Sequence, residues 1–232
     1  MNEYRRYARQ MAVAGIGEEG QRRLSAAKVA VIGCGALGSL VSMYLAGAGV
    51  GEIVIADFDT VDISNLQRQV FFSEAEAGCK KVVSLARRIR DLNSTVEVTA
   101  LDVMITLKNG AELLGDADFI IDATDNPASK YMTDRLCREL DKACCIGGVE
   151  GMRGQLITIL PGDERYADIF PDLPEDPGLT PCTVAGVLGP AAGTVASLQA
   201  AEAIKFITGG RMCRHSLLDF DLSDMRFSQF DL

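Results

Sequence analysis

A glycine run and a short list of ionisable residues stand where phosphate chemistry could be done. The run Gly33-x-Gly35-x-x-Gly38, with Ala36 inside it, follows an apolar stretch. Such glycines permit a tight turn and a close backbone approach, and the helix they open aims N–H groups at an anion. Asp57, with Asp59 beside it, lies about twenty residues on, where a carboxylate typically accepts ribose hydroxyls. These features alone say nucleotide, and a pyridine dinucleotide is the default. Three further features move the balance. Asn65-Leu66-Gln67-Arg68-Gln69 and Lys81 add a planar cationic fork and a point charge. Those suit a triphosphate that must release pyrophosphate. Thr124-Asp125-Asn126 follows an apolar run, and a carboxylate there suits magnesium held against phosphate oxygens. Arg9, in Arg6-Tyr7-Ala8-Arg9-Gln10, adds a cation ahead of the fold proper. Bland readings stand beside each of these. By position alone Arg68 and Lys81 read as surface cations, as Lys80, Arg87, Arg88 and Arg90 do. Asp125 reads equally as the N-cap of the helix opened by Pro127. Arg9 reads as part of a solvated helical face.

Elements of α/β type must position these residues. Helical spacing marks 2–12 and 17–27. Strand patterns fall at 28–33, 52–57, 95–101, 117–122, 143–147 and 155–160, and helices at 36–46, 78–92 and 127–140. Strand–helix alternation predicts a Rossmann-like, doubly wound, mostly parallel sheet. Residues 161–182 hold five of the seven prolines and many acids, which predicts a long surface loop. A small-residue helix at 186–206 and an antiparallel hairpin at 217–220 and 225–230 extend the sheet. Without a linker, repeat or low-complexity tract, 1–232 is expected to be a single domain. Its parts are N-terminal helices (1–27), a nucleotide-binding core (28–150) and a second half (151–232).

Composition narrows the class. The 232 residues are 48% apolar and 24% charged, with a net charge of −9. That is the balance of a soluble globular protein, without a basic nucleic-acid footprint. No apolar run is long enough to span a bilayer and no signal peptide is evident, so no membrane role and a cytoplasmic location are expected. The seven cysteines form no CxxC pair, so no zinc site is expected, and a cytosolic chain is expected to keep them reduced. The single histidine, His215, makes histidine triads improbable.

Read together, the chain resembles the ubiquitin-activating-like family of MoeB, ThiF and HesA, which adenylates small sulfur-carrier proteins. The matching segments run in family order: RYARQ at 6–10, GCGALG at 33–38, DFDTVDISNLQRQ at 57–69, Lys81 and TDN at 124–126. CTVAGVLGP at 182–190 and LQAAEAIK at 198–205 follow. The resemblance implies that ATP and magnesium are used. Gly33, Gly35, Ala36 and Gly38 would border the adenylate phosphate, and Asp57, with Asp59, the ribose. Asn65, Arg68 and Lys81 would meet the triphosphate, and Asp125, with Asn126, the metal end. Arg9 would be an arginine finger supplied by the second subunit of a homodimer. Cys182 would be a mobile-loop cysteine for sulfur transfer. The second half would bind a ubiquitin-like sulfur carrier ending in Gly-Gly, with a crossover loop at about 161–182. One departure concerns zinc. Where relatives carry their first CxxC pair, residues 165–171 hold no cysteine, and the chain ends about where the second pair would begin. No rhodanese domain follows, so sulfur is expected from a separate donor protein. Rival classes are adenylation of another peptide or carboxylate, a nicotinamide-dependent oxidoreductase, and a non-catalytic binding protein.

Overall fold

The computed structural model describes residues 5–171 and 186–232. Its eight-stranded sheet runs in the order β3-β2-β1-β4-β5-β6-β7-β8. The strands are β1 (Lys28–Ile32), β2 (Glu52–Ala56), β3 (Glu97–Leu101), β4 (Phe119–Asp122), β5 (Ala143–Glu150), β6 (Arg153–Ile159), β7 (Ser216–Asp221) and β8 (Arg226–Asp231). Pairing is parallel from β3 to β5 and antiparallel from β5 to β8. The doubly wound, mostly parallel architecture is therefore the one the pattern predicts, with the antiparallel extension at its C-terminal edge.

Near-continuous apolar strands follow from burial on both faces. Val29, Val31, Ile53, Ile55, Phe119 and Ile121 face one core, and Ala30, Ile32, Val54 and Ile120 face the other. The first core is covered by α2 (Gly17–Ala26), α3 (Gly38–Ala48), α4 (Lys81–Leu92) and α8 (Gly189–Thr208), which contribute Leu24, Val41, Leu45, Leu85, Ile89, Val195 and Ala203. Behind the sheet lie α5 (Gly110–Leu114), α6 (Pro127–Glu139) and α7 (Tyr166–Ile169), with Leu114, Leu136 and Tyr166 in the second core. The strand order reverses between β1 and β4, and ligands of open α/β sheets bind in the crevice at such a point.

Several elements depart from expectation. The first helix, α1 (Ala8–Met11), is a single turn; Gly15 and Gly17, at φ +90° and +58°, carry the chain through turns into α2. One turn of helix, α7, lies within 161–182, and α5 stands where no element was expected. The largest departure is β5. It does not stop at Gly147 but runs to Glu150, then pairs back along β6 from Glu150↔Arg153 to Cys144↔Ile159. The glycines there are not strand breakers. A Cβ on Gly147 would lie 2.7 Å from Gln199 Nε2 and Val195 Cγ1, so glycine is what lets α8 pack on the strand.

Candidate active site

The glycine loop closes the C-terminal end of β1 against the C-terminal end of β4. Gly33 has φ +94°, and a Cβ on it would lie 2.8 Å from the Ala123 carbonyl oxygen. Gly38 opens α3 so tightly that a Cβ would lie 1.8 Å from the Gly33 carbonyl oxygen. Gly35 is different. Its missing side chain would meet nothing closer than Gln69 Nε2, at 3.5 Å. Protein packing requires glycine at 33 and 38 but not at 35, where the open space suits the close approach of a ligand. α3 begins at Gly38, two residues later than expected, and its N-terminus carries no side-chain cap, Ala36 lying just before it.

Asp57 is fastened to this loop. Its Oδ2 accepts from Cys34 N at 2.6 Å and its Oδ1 from Asp59 N at 2.8 Å. Each oxygen keeps a lone pair for a further donor. Burial, with Asp57 beside it, pushes the Cys34 thiol well above its usual range, and Lys81 only partly opposes this. Lys81 opens α4 and is 4% exposed. Its ammonium is bound to Asp59 Oδ2 at 2.9 Å, so this cation is already paired.

Arg68 is held differently. A 3-10 turn at Ile63–Asn65, capped by Asp62 on Ser64 N at 2.8 Å, precedes it. Asn65 Oδ1 then accepts from Arg68 Nη2 at 2.7 Å. No carboxylate pairs with Arg68 among the described residues. Its neighbours in charge are occupied: Arg87 and Arg88 bind Glu76, Lys80 binds Asp102, and Arg90 donates to the Val98 carbonyl. Those four cations are thus satisfied by protein acceptors, while Arg68, half-buried like Lys80 and Arg88, stands without an acidic partner among the described residues.

The helix α6 is capped by Asn126, whose Oδ1 accepts from Ser129 N at 2.9 Å. This decides between the two readings of Asp125: it is not the cap, and its carboxylate is exposed. Asn126 Nδ2 reaches Asp125 Oδ1 at 3.4 Å. A buried network beneath this turn was not anticipated from sequence. Lys130, 7% exposed, gives its ammonium to Asp122 Oδ1 (3.1 Å), the Thr124 carbonyl (2.7 Å) and the Gly147 carbonyl (2.6 Å). Asp122, fully buried, also accepts from the Thr124 amide and hydroxyl and from Thr133 Oγ1. These bonds set the turn that presents Asp125. The acid ending β4 and a lysine eight residues on were its only trace in the sequence.

The structure thus gathers the glycine loop, Asp57, Asp59, Lys81, Asn65, Arg68, Asp125 and Asn126 around the strand reversal. It does not bring Arg9 there. Tyr7 packs on Gly49 and accepts from Asn93 Nδ2 at 2.8 Å, while Gln10 Nε2 donates to the Ala48 carbonyl at 2.9 Å. These contacts fix α1 to the C-terminal ends of α3 and α4. The glycine loop lies at the other end of α3, roughly 15 Å away for an 11-residue helix. That is further than an arginine side chain reaches. Arg9 is exposed and makes no hydrogen bond or ion pair among the described residues. Cys182 lies outside the described residues.

Comparison with known proteins shows the family and the fold. The profile of the ThiF family matches residues 7–232. A protein of Haloferax volcanii named SAMP-activating enzyme E1 is 38% identical over 224 residues, covering 96% of this chain and 83% of that protein. The Aedes aegypti adenylyltransferase and sulfurtransferase MOCS3 is 38% identical over 209 residues, covering 90% of this chain. This chain spans about half of MOCS3, 48% of its length. Among solved structures, E. coli MccB with MccA-N7isoASN superimposes with a TM-score of 0.85 at 23% identity, over 100% of this chain and 72% of that one. That likeness establishes the shared fold. The chain belongs to the ThiF family.

Proposed function

We propose that the chain adenylates the C-terminal glycine carboxylate of a ubiquitin-like sulfur-carrier protein, using ATP. The carboxylate is already ionised at neutral pH, so it needs no general base. One of its oxygens attacks the α-phosphorus, the bond between the α-phosphorus and the oxygen bridging to the β-phosphorus breaks, and pyrophosphate leaves with the electron pair. The product is an acyl-adenylate, ready for later thiocarboxylate formation with sulfur from a separate donor protein. Catalysis then consists of positioning and charge stabilisation.

The observation that carries this proposal is Arg68, a half-buried guanidinium held by Asn65 and lacking an acidic partner among the described residues. A triphosphate with a departing pyrophosphate uses such a fork; a dinucleotide held by backbone amides does not need it. Lys81 adds the remaining N–H donors of its ammonium, and Asp57 receives the ribose. The space left open at Gly35 takes the phosphate that approaches the backbone most closely. Asp125 and the phosphate oxygens form a donor set of the hard, oxygen-only kind that magnesium takes. Its carboxylate is free for this because Asn126 does the capping. Magnesium, when bound, would offset charge on the phosphates. Naming of homologues as a SAMP-activating enzyme and as adenylyltransferases supports the same activity.

The carrier is proposed to dock on 151–232, where the edge strand β8 leaves Phe227 and Phe230 more than half exposed. Arg9, fixed at the far end of α3, acts only if a second copy presents it, so the active unit is proposed to be a homodimer. Among the described residues no helix is long and apolar enough to cross a membrane. A cytoplasmic setting is proposed for the reaction.

The deciding experiment is ATP–pyrophosphate exchange with magnesium, with and without Gly-Gly-ending carriers from the same organism. Carrier-dependent exchange supports the proposal. ATP binding without exchange for any carrier turns it towards another peptide or carboxylate, and NAD binding in place of ATP overturns it.

A further inference from the structure

Gln69 is 5% exposed. Its backbone is committed, the N–H to the Asn65 carbonyl and the carbonyl to Phe72 N. Its side-chain amide has no hydrogen-bond partner among the described residues. Its amide atoms are not sealed from solvent, so they stay available to a ligand in the space beside Gly35. The amide nitrogen lies 3.5 Å from the point where a side chain on Gly35 would begin. The room that a side chain on Gly35 would fill is thus bordered by this nitrogen, which can donate to an oxygen packed over the Gly35 Cα.

The neighbours say which oxygen. Asp57, tied to Cys34 N, marks the ribose end of a bound nucleotide. Arg68, the residue before Gln69, is the unneutralised cation suited to the leaving pyrophosphate. The phosphate between ribose and pyrophosphate is the α-phosphate, and Gln69 stands between Gly35 and Arg68.

We propose that Gln69 Nε2 donates to a non-bridging oxygen of the α-phosphate seated against Gly35, adding a donor where negative charge builds during attack. This makes Gln69 a catalytic residue, and it rests on the adenylation proposed above. A glutamine that merely fills volume is the competing role. Gln69→Met separates the two, because it keeps size and flexibility while deleting the donor.

The full-length Gln69→Met variant is compared with wild type by carrier-dependent ATP–pyrophosphate exchange, calorimetric ATP binding and thermal melting. Loss of a single donor to a developing oxyanion predicts a kcat lower by about 10²–10³-fold. ATP affinity should change far less, and the melting temperature should hold. A space-filling role predicts a normal kcat with the melting temperature unchanged, because methionine fills the same volume. Wild-type exchange with Gln69→Met turning over as fast overturns the role of Gln69 and leaves adenylation standing. No exchange by wild type removes adenylation and this role with it. Should Gln69→Met fail to fold, the side-chain ¹⁵N–¹H resonances of Gln69 in wild type decide. They must shift when ATP is added; resonances that stay in place overturn the proposal.

Discussion

At the scale of single residues, the glycines separate packing from chemistry. Gly35 and Gly38 belong to one motif, yet a methyl group at 35 would make only an ordinary contact at 3.5 Å, while one at 38 would overlap the Gly33 carbonyl at 1.8 Å. Gly35→Ala is therefore expected to melt with wild type and to lose ATP affinity and exchange. Gly38→Ala is expected to lose about 3 kcal/mol of stability or fail to fold. Thermal melting run beside ATP binding checks both; normal ATP binding by Gly35→Ala would remove the ligand from that space. Lys130 makes a second prediction. Its ammonium satisfies three buried acceptors around Asp122. Lys130→Met strands a buried carboxylate and is expected to cost about 3–5 kcal/mol. Adding Asp122→Asn should restore part of that loss, because the stranded charge is gone. Urea unfolding of the single and double variants measures it, and a double variant no more stable than Lys130→Met would show that charge burial is not the cause.

At the scale of elements, the parallel half was legible because its inner strands are buried on both faces and read as unbroken apolar runs such as 29–32 and 119–121. The motif residues were legible for a related reason. They sit at the C-terminal ends of those strands, so placing the strands placed Gly33, Asp57 and Asp125. What stayed hidden was long-range. Gly147-Gly148 reads locally as the end of a strand, and only the approach of Val195 and Gln199 from α8 shows why glycine stands where the strand continues. Asp125 reads from its place as metal ligand or cap alike, and only the Asn126–Ser129 bond gives the capping to its neighbour. Lys130 looks like any helix lysine until Asp122, Thr124 and Gly147 surround it. The far end of the β6–β7 ladder carries a pH-dependent element. Asp221 is held down to about 2 by the Ser223 hydroxyl and amide, with Arg153 alongside. An unfolded aspartate titrates near 3.9, so the folded state binds the proton less readily. Its contribution is present above about pH 4 and is lost as pH falls towards 2. Asp221→Asn should therefore have a lower urea midpoint than wild type at pH 6, with the gap closing by pH 2. A gap that does not depend on pH would mean that Asp221 stabilises by shape, not by charge.

At the scale of the whole molecule, the distance between Arg9 and the glycine loop is a statement about stoichiometry. Tyr7, Gln10 and Arg6 bind the C-terminal ends of α3 and α4, so Arg9 cannot swing to its own crevice without undoing those contacts. If Arg9 acts at all, it acts on a second copy. In a twofold dimer each site would then draw Asp125 from one subunit and Arg9 from the other. Arg9→Ala and Asp125→Ala should each abolish most exchange while melting with wild type. Unfolded together and refolded as an equal mixture, they should recover activity. Half of the random dimers are mixed, and each mixed dimer holds one site with both residues intact, so about a quarter of wild-type activity should return. An Arg9→Ala variant that keeps full activity would remove the finger. Two inactive variants that stay inactive on mixing, with mixed dimers demonstrated by differential tags, would place both residues in one chain and require α1 to leave the position it holds here.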